Sequence, residues 1–149
     1  MKFFKILILL GASLLFIGCS AKVDLADPKL DSEAKEFALP DNNSAGIYIF
    51  RDSFVGKALK KAIFLDGVRL GETADKTYFY KVVPSGSHLI ETESEFSNNS
   101  MNILTSGGKN YFIRQFIKMG VFVGGADLEQ VDESVGKKSI MKSKLIKTE

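Results

Sequence analysis

The hydrophobic pattern predicts a domain built mostly from short strands. Runs of apolar and β-branched residues recur from residue 46 onward, and turn residues separate them about every ten positions. Strands are predicted at 47–51, 62–65, 68–71, 77–83, 88–95, 101–104, 110–118, 121–123 and 128–131. The first run is continuously apolar, which is typical of a strand covered on both faces. The spacing of the runs favours a β-sandwich or a β-barrel.

Two local signals add detail to this pattern. Asp66-Gly67 lies between two predicted strands, and this pair supplies the positive φ angles of a two-residue type I′ hairpin. Near the C-terminus, the apolar side chains alternate with lysines at Val135, Lys137, Lys138, Ile140, Met141, Lys142, Lys144, Leu145, Ile146 and Lys147. This alternation predicts a short C-terminal amphipathic helix that packs beside the sheet.

The first 18 residues follow a different pattern. Lys2 and Lys5 precede an unbroken run of apolar and small residues over 6–18. This run is too short to span a bilayer as a helix, which takes about 20 residues. A positive start followed by such a run is typical of an export signal peptide.

The residues around Cys19 make this signal more specific. Residues 15–20 read Leu-Phe-Ile-Gly-Cys-Ser and resemble the lipobox of bacterial lipoproteins. The resemblance implies cleavage after Gly18, a diacylglycerol on the Cys19 thiol and a fatty acid such as palmitate on the new amine. Cys19 is the one cysteine of the chain, so it cannot form an internal disulfide. A plain signal peptide with an incidental cysteine and a short signal anchor are the alternatives.

The residues after Cys19 bear on location and on domain boundaries. In lipoproteins of Gram-negative cells a residue other than Asp at this position, here Ser20, favours the outer membrane, facing the periplasm. Residues 21–44 are rich in acidic residues, proline and asparagine and show little apolar periodicity. We therefore expect a signal peptide at 1–18, a lipidated N-terminus and flexible linker at 19–44, and a folded domain at 45–149.

The charge balance excludes one class of partner. The chain has 20 Lys and Arg against 18 Asp and Glu, and two of the lysines belong to the predicted leader. The processed chain is therefore formally neutral. It lacks the basic field that drives binding to nucleic acid phosphates, so no nucleic acid partner is expected.

The order of these motifs resembles one family. Residues 47–51, the Asp66-Gly67 hairpin with Gly71, the Pro84-Ser-Gly-Ser-His88 turn and Lys109-Asn-Tyr-Phe112 are similar to the lipoprotein family called domain of unknown function 2846. The similarity covers about residues 45–140. It implies a single β-sandwich of about seven to nine short antiparallel strands on an envelope lipoprotein, and it brings no known activity.

His88 is the single histidine and the natural candidate for a hydrolase. A nucleophile and its base must be in hydrogen-bond contact, with a third group orienting the base. Ser87 and His88 are neighbours on one predicted strand, so their side chains point to opposite faces. The favoured interpretation is a turn histidine that caps backbone groups, and no catalytic set is predicted.

Other binding chemistries have weaker support in the sequence. With one histidine and one lipidated cysteine, neither a metal site nor a cofactor is predicted. Four tyrosines, Tyr48, Tyr78, Tyr80 and Tyr111, could line a carbohydrate surface, although aromatic residues in strands usually pack across the sheet. The main hypothesis is a membrane-anchored, non-catalytic binding or structural module that contacts an envelope protein or glycan. A glycan- or peptidoglycan-binding module is the alternative, and a hydrolase using His88 comes third.

Overall fold

A computed structural model describes residues 21–149. The predicted signal peptide at 1–18 and the predicted lipidation site Cys19 lie outside the described residues. No helix within 21–149 is long and apolar enough to cross a membrane.

The described chain contains nine strands and two short helices. In chain order they are α1 (Pro28–Ala34), β1 (Ser44–Arg51), β2 (Lys61–Leu65), β3 (Val68–Thr73), β4 (Thr77–Pro84), β5 (Gly86–Thr92), β6 (Asn99–Thr105), β7 (Lys109–Lys118), β8 (Gly125–Val131), α2 (Glu133–Ile140) and β9 (Lys144–Leu145). They form a five-stranded sheet in the order β8-β7-β1-β4-β9 and a four-stranded sheet in the order β3-β2-β5-β6. The prediction of a mainly β sandwich is confirmed, and α2 confirms the predicted C-terminal helix.

The main core lies between the two sheets. Its members are aliphatic and aromatic side chains that are almost fully buried: Ile47, Ile49, Ile63, Leu65, Leu70, Phe79, Ile90, Ile103, Ile113 and Ile146. Successive residues of a strand point to opposite faces, so β1 sends Ile47 and Ile49 into this core and Tyr48 and Phe50 to the other side. The apolar run of β1 is therefore covered on both faces, as its sequence predicts.

A second core covers the outer face of the five-stranded sheet. Both helices pack there on a largely aromatic cluster: Ala34, Tyr48, Phe50, Tyr78, Phe112 and Ile140. The Tyr48 ring stacks on the rings of Tyr80 and Phe112, with centroids 4.3 and 5.2 Å apart. Such pairs contribute about 0.5–1.5 kcal/mol each beyond their buried area. The molecule thus has three layers: helices, mixed sheet and antiparallel sheet.

The strand directions differ from the prediction. The expectation of a wholly antiparallel sandwich is wrong for two pairs, because β7 pairs with β1 in parallel and β9 pairs with β4 in parallel. Consecutive strands β6 and β7 lie in different sheets, so they do not form an antiparallel hairpin with each other. β7 instead pairs beside β1 and runs in the same direction. The strand predicted at 121–123 is a loop.

The Asp66-Gly67 hairpin is confirmed. Asp66 has a φ of 52° and Gly67 a φ of 79°, and the turn joins β2 to β3. Both angles are positive, as a type I′ turn requires, and a residue other than Gly at the second position would be strained there.

The flexible linker expected over 19–44 is corrected for the residues that the structure describes. From Ala26 to Ala34 the chain lies against the domain: the Ala26 N–H donates to the Leu145 carbonyl at 2.9 Å, and the Tyr48 hydroxyl donates to the Ala34 carbonyl at 2.8 Å. Asp27 caps α1 by accepting the Lys29 N–H at 2.8 Å, and Pro28 starts the helix. A folded element therefore precedes the domain boundary predicted at residue 45.

The buried Asp31 carboxylate fastens α1 to the sheet. It accepts hydrogen bonds from the Tyr78 hydroxyl at 2.9 Å, the Leu145 N–H at 2.9 Å and the Lys35 ammonium at 2.7 Å. Burial by itself would raise the pKa of Asp31, but these three hydrogen bonds outweigh it and hold the pKa below its ordinary value. One carboxylate thus joins α1, β4 and β9.

We expect Asp31→Ala to lower the free energy of unfolding by about 2–3 kcal/mol, because the Tyr78 hydroxyl and the Leu145 N–H lose their acceptor while buried. Asp27→Ala on the same helix removes only an exposed cap and should cost about 1 kcal/mol. Denaturation by urea measures both. An effect of Asp31→Ala no larger than that of Asp27→Ala would contradict this role of Asp31.

Candidate functional site

His88, the predicted candidate for chemistry, lies at the start of β5 beside the β2–β3 turn. Its Nδ1 is 2.7 Å from Asp66 Oδ2, and its Nε2 is 2.8 Å from the Pro84 carbonyl oxygen. Both partners are acceptors, so both ring nitrogens can donate at once only when the imidazole is protonated and positively charged. The other oxygen of Asp66 accepts the Leu89 N–H at 2.9 Å. The pair therefore joins the hairpin turn to β5 and to the end of β4.

The pKa values of this pair follow from its geometry. Burial by itself would lower the pKa of His88, but the hydrogen bonds to Asp66 and to the Pro84 carbonyl, with the carboxylate charge, raise it above its ordinary value. Burial would raise the pKa of Asp66, but the His88 and Leu89 hydrogen bonds lower it below its ordinary value. Each partner therefore stabilises the charged form of the other.

In this arrangement both ring nitrogens of His88 are occupied by contacts within the fold. A general base needs a free nitrogen lone pair facing a hydroxyl, whereas both nitrogens of His88 face oxygen acceptors at hydrogen-bond distance. Neither Ser85 nor Ser87 is a hydrogen-bond partner of His88 in the described chain. The interpretation of His88 as a residue that caps backbone groups agrees with the bond from Nε2 to Pro84.

The four tyrosines do not form one exposed platform. Tyr48 and Tyr78 are buried, with 1% and 0% of their surface exposed, and belong to the core beneath the helices. Tyr111 pairs in register with Ile47, and Tyr80 pairs with Tyr48, so the two partly exposed rings face opposite sides of the sheet. The four tyrosines therefore do not share one carbohydrate-binding face, and cross-strand packing, the usual role of aromatic residues in strands, describes Tyr48 and Tyr80.

A concave site lies on the outer face of the five-stranded sheet. It is an open apolar groove with a cavity volume of about 830 Å³, between α1 and the C-terminal segment that follows β9. The residues that line it are Leu25, Ala26, Asp27, Pro28, Leu30, Glu33, Ala34, Tyr80, Leu145, Ile146, Lys147 and Thr148. Leu25 and Leu30 remain about half exposed there. Such a groove suits an apolar chain or an apolar side chain of a partner.

The groove has little polar chemistry of its own. Asp27 uses its carboxylate as the cap of α1, and Glu33 and Lys147 are exposed. Within residues 21–149 no three His, Cys, Asp or Glu side chains come together in a way that could hold a metal ion. The groove can therefore bind by burying apolar surface, with charged groups only at its rim.

Sequence reasoning missed the groove because seven of its twelve lining residues lie in the predicted linker. The signal that could have shown it is Asp27-Pro28, since Asp at the N-cap with Pro at the first helical position is a helix start. The position of Leu25 and Leu30 beside Tyr80 depends on how α1 packs, which no local pattern indicates.

The His88–Asp66 pair predicts a pH dependence of stability. Because the folded state raises the pKa of His88, its stabilisation is complete below about pH 6.5 and is lost as the pH rises through the raised pKa. We expect Asp66→Asn, which keeps a turn-forming residue, to lower the pKa of His88 in a titration followed by NMR. His88→Gln should remove the loss of stability on the alkaline side. An unchanged His88 pKa in Asp66→Asn would contradict the pairing.

The comparisons with known proteins place the chain in a family without assigning a function. The family described as "Protein of unknown function (DUF2846)" matches residues 41–126. An uncharacterized protein of Haemophilus influenzae (strain ATCC 51907 / DSM 11121 / KW20 / Rd) is 52% identical over 134 residues, which cover 90% of this chain and 79% of that protein. No solved structure matches the chain. The chain belongs to the DUF2846 family of proteins of unknown function.

Proposed function

We propose that this protein is an exported lipoprotein, anchored through Cys19, that presents a non-catalytic binding domain in the cell envelope. The anchor rests on the sequence from Lys2 to Ser20, with its charged start, short apolar run and lipobox-like end. In this proposal the protein lies in the outer membrane and faces the periplasm. One acyl chain holds a protein only marginally, whereas two or three acyl chains on the processed Cys19 make a durable anchor.

The observation that carries the binding role is the apolar groove beside α1. A volume of about 830 Å³ lined mostly by carbon atoms is large enough for several apolar side chains. Leu25 and Leu30, each about half exposed, gain most from being covered, because burying apolar surface contributes about 25 cal/mol per Å². The occupant we propose is an apolar segment of another envelope protein.

Binding fits the groove better than catalysis. The His88–Asp66 pair lies in the four-stranded sheet, whereas the groove is on the outer face of the other sheet. The lining of the groove includes no histidine or cysteine. A sugar would need rings to stack on and several polar partners, and the groove offers one ring, that of Tyr80.

The anchor is tested in cells by labelling with an alkyne analogue of palmitate. We expect the wild-type protein to carry the label and to remain in the membrane fraction. Cys19→Ser, which changes one atom, should give an unlabelled and larger precursor, because cleavage follows lipidation. A labelled Cys19→Ser protein, or a wild-type protein that has the size of the processed form but carries no label, would contradict the proposal.

The groove is tested with a photo-crosslinking phenylalanine at Leu30, which lines it, and at Leu104 as the control. Leu104 is 78% exposed, more than Leu30 at 52%, and it lies on β6 in the other sheet. We expect a discrete protein adduct from position 30 that is absent from position 104 and is lost when Leu25→Asp, a change at a half-exposed residue of the groove, is added. Equal adducts from both positions, or adducts with glycan alone, would contradict a groove for a protein partner.

A further inference from the structure

Three loops meet at one end of the sandwich and expose an unusual amount of apolar surface. They are 52–60 between β1 and β2, 93–98 between β5 and β6, and 119–124 between β7 and β8. Seven of the fifteen large hydrophobic residues that are exposed within 21–149 lie in them: Phe54, Val55, Phe96, Met119, Val121, Phe122 and Val123. We call these seven residues the apolar tip. Phe54, Phe96 and Phe122 are 80%, 77% and 83% exposed.

Defined contacts hold the loops together. The Phe96 and Phe122 rings meet edge to face with centroids 6.4 Å apart. The Glu95 carboxylate accepts backbone N–H groups of Val121, Phe122 and Val123, which ties the second loop to the third. These hydrogen bonds fix the backbone of the 119–124 loop, where the sequence predicts a strand.

The first loop is held from inside the protein. Arg51, at the end of β1, has none of its surface exposed. Its guanidinium donates to the Leu59 carbonyl at 2.8 Å and to the Gly56 carbonyl. A charged group whose donors are aimed at loop carbonyls fixes the backbone that carries Phe54 and Val55.

The N-terminal segment reaches the domain at this same end. The Ala21 N–H donates to the Lys57 carbonyl at 2.9 Å, in the loop that carries Phe54. Cys19 precedes Ala21 by two residues, and two residues span at most about 7 Å. A lipid on Cys19 would therefore enter the bilayer beside the apolar tip. Only Ser20 stands between Cys19 and Ala21, so little chain is left that could hold the domain away from the headgroups.

We propose that the apolar tip is a second membrane contact, inserted into the interfacial region of the bilayer beside the lipid on Cys19. This inference rests on the anchor proposed above. Exposed aromatic and aliphatic side chains on a small patch favour that region, because their apolar surface leaves water there. The Lys57 ammonium lies 4.3 Å from the centroid of the Phe54 ring. When Phe54 inserts, this cation would lie at the level of the headgroups, where it can bind anionic lipid.

A bilayer fits this end better than a protein partner does. A partner surface would have to tolerate acyl chains beside it, since the Cα atom of Cys19, which would carry the lipid, can be no more than about 7 Å from that of Ala21. The tip side chains project from three separate loops, and the two concave sites that include some of them, of about 370 and 220 Å³, are much smaller than the apolar groove. The bilayer adapts its shape to such projections.

The experiment attaches a synthetic lipid to Cys19, so that its result does not depend on lipidation in the cell. The chain from Cys19 to Glu149 contains every element and both cores of the described structure, and Cys19 is its one thiol. Its thiol is coupled to a maleimide phospholipid in vesicles of phosphatidylcholine and phosphatidylglycerol. The chain has no tryptophan, so Phe122→Trp, Phe54→Trp and the control Leu104→Trp each give a unique fluorophore. Leu104 pairs with Ser87 at the opposite end of the sandwich.

We expect brominated acyl chains to quench the fluorescence of Phe122→Trp and Phe54→Trp several-fold more strongly than that of Leu104→Trp. Vesicle coupling should shift the emission to the blue only in the two tip variants. Two tip variants in different loops are used because one substitution could disturb its own loop. Equal quenching at the tip and at position 104 would overturn the proposal. A blue shift that grows with protein concentration without vesicles would indicate self-association and would also overturn it.

The two proposals fail separately. If cells do not label Cys19 but the coupled protein shows quenching at the tip, the lipid anchor is wrong, and what stands is the affinity of the tip for a bilayer without the lipid on Cys19. If cells label Cys19 but the coupled protein shows equal quenching at both ends, the anchor stands and the tip proposal is overturned.

Discussion

The rest of the structure depends on the burial of β1 on both faces. Ile47 and Ile49 point into the core between the sheets, whereas Tyr48 and Phe50 point to the outer face. A strand of this composition cannot lie at a solvated surface, so the outer face needs a cover. The two helices supply it, and they come from opposite ends of the domain: α1 precedes β1 and α2 follows β8. The apolar groove is the part of the outer face that this cover leaves open.

Features set by a few neighbouring residues could be predicted from the sequence. The Asp66-Gly67 turn needs two positive φ angles, and this dipeptide indicates that need by itself. The alternating runs indicate the strands, and the continuous run at 47–51 indicates burial on both faces. Helix α1 is only seven residues long and is held by the long-range bonds of Asp31 to Tyr78 and Leu145. Its apolar pattern is therefore too short to predict a helix, although Asp27-Pro28 marks where the helix starts.

Features set by distant segments could not be predicted. The parallel pairing of β1 with β7 depends on which sheet each strand joins, and no local pattern records that choice. The full burial of Arg51 could not be predicted from the sequence either, because an arginine at a strand end is ordinarily exposed. The apolar tip combines residues from three loops that are up to about 70 positions apart. Each loop taken alone has only one to four exposed apolar residues, which is an ordinary number for a protein surface.

The proposed membrane contact also fixes how the two other sites face the envelope. β1 ends with Arg51 at the apolar tip and spans eight residues, which is about 26 Å at 3.3 Å per residue. The His88–Asp66 pair lies at the opposite end of the sandwich and therefore points away from the bilayer. The groove lies on the side, where its lining includes Tyr80 near the middle of β4. A partner that fills the groove would thus approach parallel to the membrane. It would have to be a component held at, or reaching to, the same surface, which agrees with an apolar segment of another envelope protein.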